Sequence, residues 1–254
     1  GVALATIISQ FVSAVLVLIL LVKTDDIYKM TWKDLGIDFS ILKQILTVGL
    51  PTALQSMITA FSNVFVQSYV NVFGSACMAG WSCYGKLDSF IFLPMQSLSS
   101  AATTFVSQNV GAKKYDRVKK GTVGAITLTV GITSVIVAII LMFSKTAVGF
   151  FTNEEDVLYY GVLFIRNNTL FLLFNCVNQV LAGALRGRGD SKGPMIIMIS
   201  TFVVARQIYL YLATRVIANT ASIVGFGYPV GWTLCFIVEV TYYYFRWHKK
   251  QEIA

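Results

Sequence analysis

Five charged residues fall inside otherwise apolar stretches of this sequence: Lys86, Asp88, Arg166, Arg206 and Glu239. Charge within hydrocarbon is costly, and it is kept where it is paired, lines a water-filled path or takes part in moving an ion. Lys86 and Asp88 are two residues apart and cannot meet side by side on one helix. Asp88 lies about eleven residues from one end of its apolar run, and Arg206 about twelve from the opposite end of its own. At about 1.5 Å per residue both come near mid-membrane, so an Asp88–Arg206 pair is expected. Glu239 falls nearer the basic end of its run and Arg166 nearer the opposite side. Two readings stay open: neutralised pairs that lock helices together, or groups that line a cavity and titrate or move during transport.

Uncharged polar residues extend this set. Gln55 and Ser56 recur with Asn63 and Gln67 at about helical spacing, which places them along a common face. Tyr84 opens the stretch that carries Lys86 and Asp88, and Asn175, Asn178 and Gln179 fall in another apolar run. The candidate substrate and ion pathway is therefore Gln55, Tyr84, Lys86, Asp88, Asn175, Asn178, Gln179, Arg206 and Glu239. Hydrogen-bonded helix packing accounts for any single amide equally well.

The elements that must position these residues are membrane helices. Hydrophobic residues make up 56% of the 254-residue chain and charged ones 13%, about half the charge of a soluble domain. Seven runs are long enough to cross a hydrocarbon core of about 30 Å: about 1–22, 43–70, 77–107, 122–143, 157–185, 194–217 and 221–245. The fold class is all-α, a polytopic membrane protein with about seven transmembrane helices. Pro51 falls early in the second run and Pro94 mid-way in the third, where it lets the helix bend. The segment TDDIYKMTWKDLGIDFS, with Trp32, Leu35, Ile37 and Phe39 among charges, suits a strip on the membrane surface. Ala101, Ala102, Gly124 and Gly131 read as close-packing positions.

Loop charge orients the spans. Residues 23–43, 113–120, 186–192 and 246–250 hold fifteen Lys and Arg, the second group in a polar loop, while the opposite connections hold only Lys145 and Arg215. That asymmetry puts the basic side and the C-terminus in the cytoplasm. The location expected is the cell membrane, with several passes. Seven spans, the first entering from outside at Gly1, predict that further chain precedes this one.

Other chemistry finds little support. Cys77, Cys83, Cys176 and Cys235 have no C-x-x-C spacing and read as small packing residues. His248, the single histidine, sits at the basic edge. LRGRGDSKG lacks the order of a phosphate loop, and neither H-E-x-x-H nor G-x-S-x-G occurs. No enzyme, cofactor or metal site is expected. The net charge of +8 belongs to loops, unlike the groove-facing stripe of a nucleic-acid binder.

Three blocks carry a family resemblance: WKDLGIDFSILKQILTVGLPTALQS, FVSQNVGAKKYDRVKKG and VLAGALRGRGDSKGPM. Their order and spacing resemble the second half of a multidrug and toxic compound extrusion (MATE) transporter, over essentially the whole chain. The resemblance implies a 12-helix exporter of two six-helix lobes around a central cavity. Residues 1–22 would be the last helix of the first lobe, 23–42 a cytoplasmic interfacial linker, 43–246 the second lobe and 247–254 a cytoplasmic tail. It implies antiport of cationic amphipathic compounds against sodium ions or protons, with the N-terminal lobe and the lipid bilayer as partners. One branch of the family places carboxylates in the second lobe. The matching positions here are Thr59, which the resemblance adds to the candidate pathway, and Asn175; neither has a carboxylate, so coupling would rest on the other lobe or on Asp88. Two rivals stay open, a flippase of lipid-linked saccharides with related architecture and a non-transporting scaffold or truncated product.

Overall fold

The computed structural model describes residues 2–25, 29–31 and 36–251, and all of its regular structure is helical. The long helices are α1 (Val2–Lys23), α2 (Phe39–Asn71), α3 (Ser75–Gly111) and α4 (Tyr115–Met142). A short α5 (Ser144–Gly149) leads to α6 (Glu155–Asn168), which passes through one 3-10 turn into α7 (Leu172–Gly187). Next come α8 (Lys192–Met198) and α9 (Arg206–Leu212), joined by a π-helical segment, Ile199–Ala205, with a second, Ala213–Ile217, after α9. The chain closes with α10 (Ala221–Gly225) and α11 (Gly227–Gln251).

Among the described residues six helical stretches are long and apolar enough to cross a membrane: Ala3–Lys23, Phe39–Asn71, Tyr115–Met142, Glu155–Gly187, Lys192–Ile217 and Ala221–Arg246. The third expected span, α3, is not among them although it has 37 residues. Lys86, Asp88 and a run of Ser, Thr and Gln lower its hydropathy. The helix packs on α4, α6 and α7, and of its polar side chains Ser99 and Asn109 are buried while Lys86, Ser89, Gln96 and Ser97 are exposed.

The chain divides into two units, residues 1–45 and 46–254. In the first, α1 exposes Leu4, Ile7, Phe11 and Leu16 along its length, as expected of a surface whose solvent is lipid. Asp38 caps the start of α2, its Oδ1 accepting from the backbone N–H of Ser40 at 2.7 Å and Ile41 at 3.2 Å, which satisfies two of the orphan donors of a helix start. Of the expected surface strip, Trp32 and Leu35 lie outside the described residues, while Ile37 and Phe39 are exposed.

The second unit is built around α3. Its first half packs Cys77, Cys83 and Tyr84 with Val66, Phe164, Ile165 and Leu210. Further along, Ile91 and Met95 meet Leu172, Cys176, Met198, Phe202 and Trp232. At the far end Val106 packs with Val118 and Ala184. The four cysteines are free and buried.

Two expectations change here. The polar loop ahead of the fourth span is only Ala112–Lys114, because α4 begins at Tyr115 and carries Arg117, Lys119 and Lys120 in its first two turns. Of the four small residues expected to pack closely, Ala102 is buried, while Ala101, Gly124 and Gly131 are exposed. A Cβ on either glycine would meet nothing within 4 Å. Periodicity does not distinguish a small residue against protein from one against lipid. The close approach belongs instead to Gly183 and Gly187 of α7, a G-x-x-x-G pair. A Cβ on Gly183 would come within 2.6 Å of the Ser99 carbonyl oxygen, and one on Gly187 within 2.5 Å of the Thr103 carbonyl oxygen. Ser99 Oγ donates to the Gln179 carbonyl at 2.5 Å and Thr103 Oγ1 to the Gly183 carbonyl at 3.0 Å.

Candidate functional site

Among the described residues Arg206 is the best-enclosed cation, 2% exposed. It follows the π-helical segment whose β-branched Ile199, Thr201, Val203 and Val204 crowd an ordinary α-helix. π-helical turns are often found at functional positions. Arg206 Nη2 donates to Ser62 Oγ at 2.7 Å and Asn63 Oδ1 at 2.9 Å on α2, and its guanidinium lies 4.7 Å from the centre of the Tyr228 ring. Gln207 Nε2 also donates to Ser62 Oγ, at 3.1 Å, and Tyr228 OH donates to Asn63 Oδ1 at 3.2 Å. Neutral dipoles and a π-face thus hold a full charge in a dry environment, where such contacts strengthen with desolvation.

The expected Asp88–Arg206 pair does not form. Among the described residues the ion pairs are Lys29–Asp25 and Arg246–Asp190. Asp88, half-buried, accepts from Tyr84 OH at 3.4 Å, one turn back on the same helix. The two charges are nevertheless linked by a chain of ring contacts. Tyr228 lies 5.5 Å from Trp81 between centroids, and Trp81 lies 5.3 Å from Tyr84. Depth alone brought Asp88 and Arg206 to a similar level; the aromatic side chains packed between them decide that they do not touch.

The remaining candidates divide. Lys86 is exposed, its Nζ 5.0 Å from the centre of the Phe151 ring in the α5–α6 connection, so it faces away from the cluster. Arg166 is exposed as well, lining a separate cavity of about 460 Å³ with Lys145, Glu155 and Tyr159. Glu239 is fully buried: Cys235 Sγ donates to its Oε2 at 3.5 Å, and Oε1 has no hydrogen-bond partner among the described residues. Asn178, also fully buried, donates from Nδ2 to the Trp232 carbonyl at 3.1 Å; neither side-chain polar atom of buried Asn175 has a described partner. Gln55 Nε2 contacts Met198 Sδ at 2.6 Å. Gln179 contributes the carbonyl that Ser99 binds, and Thr59 is half-buried on α2. One polar region results, around Arg206 and its ring-linked neighbours Tyr84 and Asp88, while Asn175, Asn178 and Glu239 are buried polar side chains of α7 and α11.

Sequence reasoning missed Ser62, Gln207 and Tyr228. Ser62 and Gln207 each adjoin a candidate in sequence, but nothing in either residue type marks it. Tyr228 lies seven residues into the last apolar run, where its residue type alone does not mark it.

At the basic end, Asp190 joins the α7–α8 turn to α11. Its Oδ2 accepts from Tyr242 OH at 2.7 Å and Arg246 Nε at 3.1 Å, and its Oδ1 from the Gly193 N–H at 3.0 Å. Gly189, at φ +81°, makes the turn that presents it. Burial pushes the Asp190 carboxyl up, but hydrogen bonds from Tyr242, Gly193 and Arg246 outweigh it and hold the group below its ordinary value. A carboxylate depressed on folding adds stability that is complete above its unfolded value of about 3.9 and is lost as pH falls through the lower folded value. Thermal unfolding scans should therefore show wild type losing its advantage over Asp190→Asn below about pH 4. Near neutral pH Asp190→Ala should cost about 2 kcal/mol. An unchanged melting temperature at neutral pH would remove the carboxylate from this role.

Comparison with known proteins agrees with this architecture. The MatE family model matches residues 51–212. The chain is 26% identical over 256 residues to the probable multidrug resistance protein YoeA of Bacillus subtilis, covering 99% of this chain and 55% of that protein. It is 27% identical over 212 residues to the probable multidrug resistance protein NorM of Thermotoga maritima, covering 81% and 44%. The chain thus spans about half the length of the curated relatives it matches. Among solved structures, a MATE in complex with MaL6 superposes with a TM-score of 0.91 at 21% identity, over 98% of this chain and 57% of that one. A transporter of the MOP superfamily from Pyrococcus furiosus superposes with a TM-score of 0.90 at 21% identity, over 97% and 56%. With a family match across the core helices and the fold of solved MATE structures around its buried charges, this chain belongs to the MatE family of membrane transporters.

Proposed function

We propose that this chain forms one lobe and a flanking helix of a cation-coupled exporter of cationic, amphipathic compounds, working by alternating access in the cell membrane with its C-terminus in the cytoplasm. The observation that carries the reading is the separation of Arg206 from Asp88. Each charge is held by hydrogen bonds to neutral groups, with aromatic rings between them, so neither is locked in a neutralised pair. A charge without a fixed counter-ion can change partners between two states. A ligand shifts such an equilibrium only by its differential affinity for those states. Thr59 and Asn175 have no carboxylate, so in this chain a coupling sodium ion or proton would meet Asp88 or the buried Glu239, and otherwise the acids of the other lobe. The names of relatives such as the multidrug export protein MepA of Staphylococcus aureus, 23% identical over 200 residues, support drug export, within which cationic, amphipathic compounds are the class proposed.

A second reading has one observation in its favour. A buried Arg206 with no described carboxylate at ion-pair distance suits an anionic phosphate, as in a flippase of lipid-linked saccharides. The deciding experiment is efflux of a fluorescent organic cation from proteoliposomes carrying the full-length protein, with sodium and pH gradients imposed separately. Export driven by one gradient is expected and identifies the coupling ion. Folded protein that exports under neither gradient would overturn the antiporter reading.

A further inference from the structure

Beside the Asp190 staple lies a cavity of about 300 Å³, bounded by Thr47 of α2, Arg188, Asp190, Ser191 and Lys192 at the α7–α8 turn, and Arg246 near the end of α11. We propose that it binds the phosphate headgroup of an anionic phospholipid, with the acyl chains lying along the adjacent helix surface. Charge supports this: three lining residues are cationic and one is anionic, and that one, Asp190, already accepts from Tyr242, Arg246 and Gly193. The cavity keeps an excess of two positive charges. A second observation is independent of charge. Ser191, 3% exposed, is among the residues that line the cavity, and its hydroxyl has no hydrogen-bond partner among the described residues. A buried donor in that state is an expensive feature unless something accepts from it.

The rim argues for a lipid over a soluble anion. Leu46 and Leu50, one and three residues from Thr47, are 52% and 56% exposed, and Phe245, next to Arg246, is 66% exposed. In a membrane helix such side chains face acyl chains. A phosphate drawn to Lys192 and Arg188 therefore has apolar surface beside it on which its own tails can rest. Basic pockets between spans at the membrane edge recognise headgroups in this way. In the orientation proposed above, on which this one point rests, the site faces the cytoplasmic leaflet.

The test is native mass spectrometry of the delipidated full-length protein, titrated with phosphatidylglycerol or phosphatidylcholine. Wild type should retain phosphatidylglycerol selectively. Lys192→Glu, at an exposed position that leaves the core intact, should lower that retention about fivefold or more. Ser191→Ala should lower it too, whereas Lys119→Glu, on exposed α4 surface, should not. Wild-type retention in both Lys192→Glu and Ser191→Ala would overturn the proposal, as would an equal loss in Lys119→Glu, which would signal diffuse charge attraction. Saturable stabilisation by inorganic phosphate that phosphatidylglycerol fails to reproduce would also overturn it, giving the cavity to a soluble phosphorylated anion.

Discussion

Gly183→Val is expected to abolish recovery of folded protein, while Gly124→Val leaves it unchanged. The contrast comes from what each new side chain would meet. At Gly183 even the Cβ would lie 2.6 Å from the Ser99 carbonyl oxygen, 2.8 Å from Ser99 Oγ and 2.9 Å from Thr103 Oγ1, so backbone must move. Separating α3 from α7 would also break the hydrogen bonds from Ser99 and Thr103 to α7 carbonyls. In a bilayer no water replaces them. Overpacking at a site that cannot relax costs about 3 kcal/mol or more, a large share of a typical domain's stability. At Gly124 a Cβ meets nothing within 4 Å. The check is the yield of monodisperse protein by fluorescence-detected size exclusion. Full recovery of Gly183→Val would show that the α3–α7 approach is looser than described.

Arg206→Leu should give the opposite pattern, with the fold kept and transport lost. Removing the guanidinium does not strand its partners. Gln207 still donates to Ser62 Oγ, and Tyr228 OH still donates to Asn63 Oδ1. The expected stability loss is therefore about 1–2 kcal/mol, a hydrogen-bond-sized effect. Under the proposed function the initial rate of export per folded protein should fall about tenfold or more, equivalent to about 1.4 kcal/mol of activation free energy. Asp88→Asn should behave alike, since an amide oxygen can still accept from Tyr84 while the titratable charge is gone. Export at wild-type rates from either variant, with only a lowered melting temperature, would assign these charges to helix packing.

Much of this was legible in order. Composition and the length of the apolar runs specify an all-helical membrane protein, because a hydrocarbon core admits helices whose backbone bonds close within the segment. Helix boundaries followed the runs to within a few residues in several places, with α4 an exception: Arg117, Lys119 and Lys120 look like loop residues, yet charged side chains at a helix end can remain in water. Candidates separated less well. Lys86 and Asp88 look equivalent as charges two residues apart, but one faces outward over Phe151 and the other turns inward to Tyr84.

The sequence by itself determined the helical class, the number and approximate limits of the apolar runs, the asymmetry of basic residues and the blocks that resemble a transporter family. Each depends on properties additive along a chain, such as hydropathy, charge and spacing. Only the tertiary structure decided that Arg206 lies with Ser62, Asn63 and Tyr228 instead of Asp88, and that Gly183 and not Gly124 is the contact glycine. Those outcomes depend on how each helix is rotated about its axis. Rotation is set by packing against several neighbours at once, which a one-dimensional pattern of polar and apolar residues leaves under-specified.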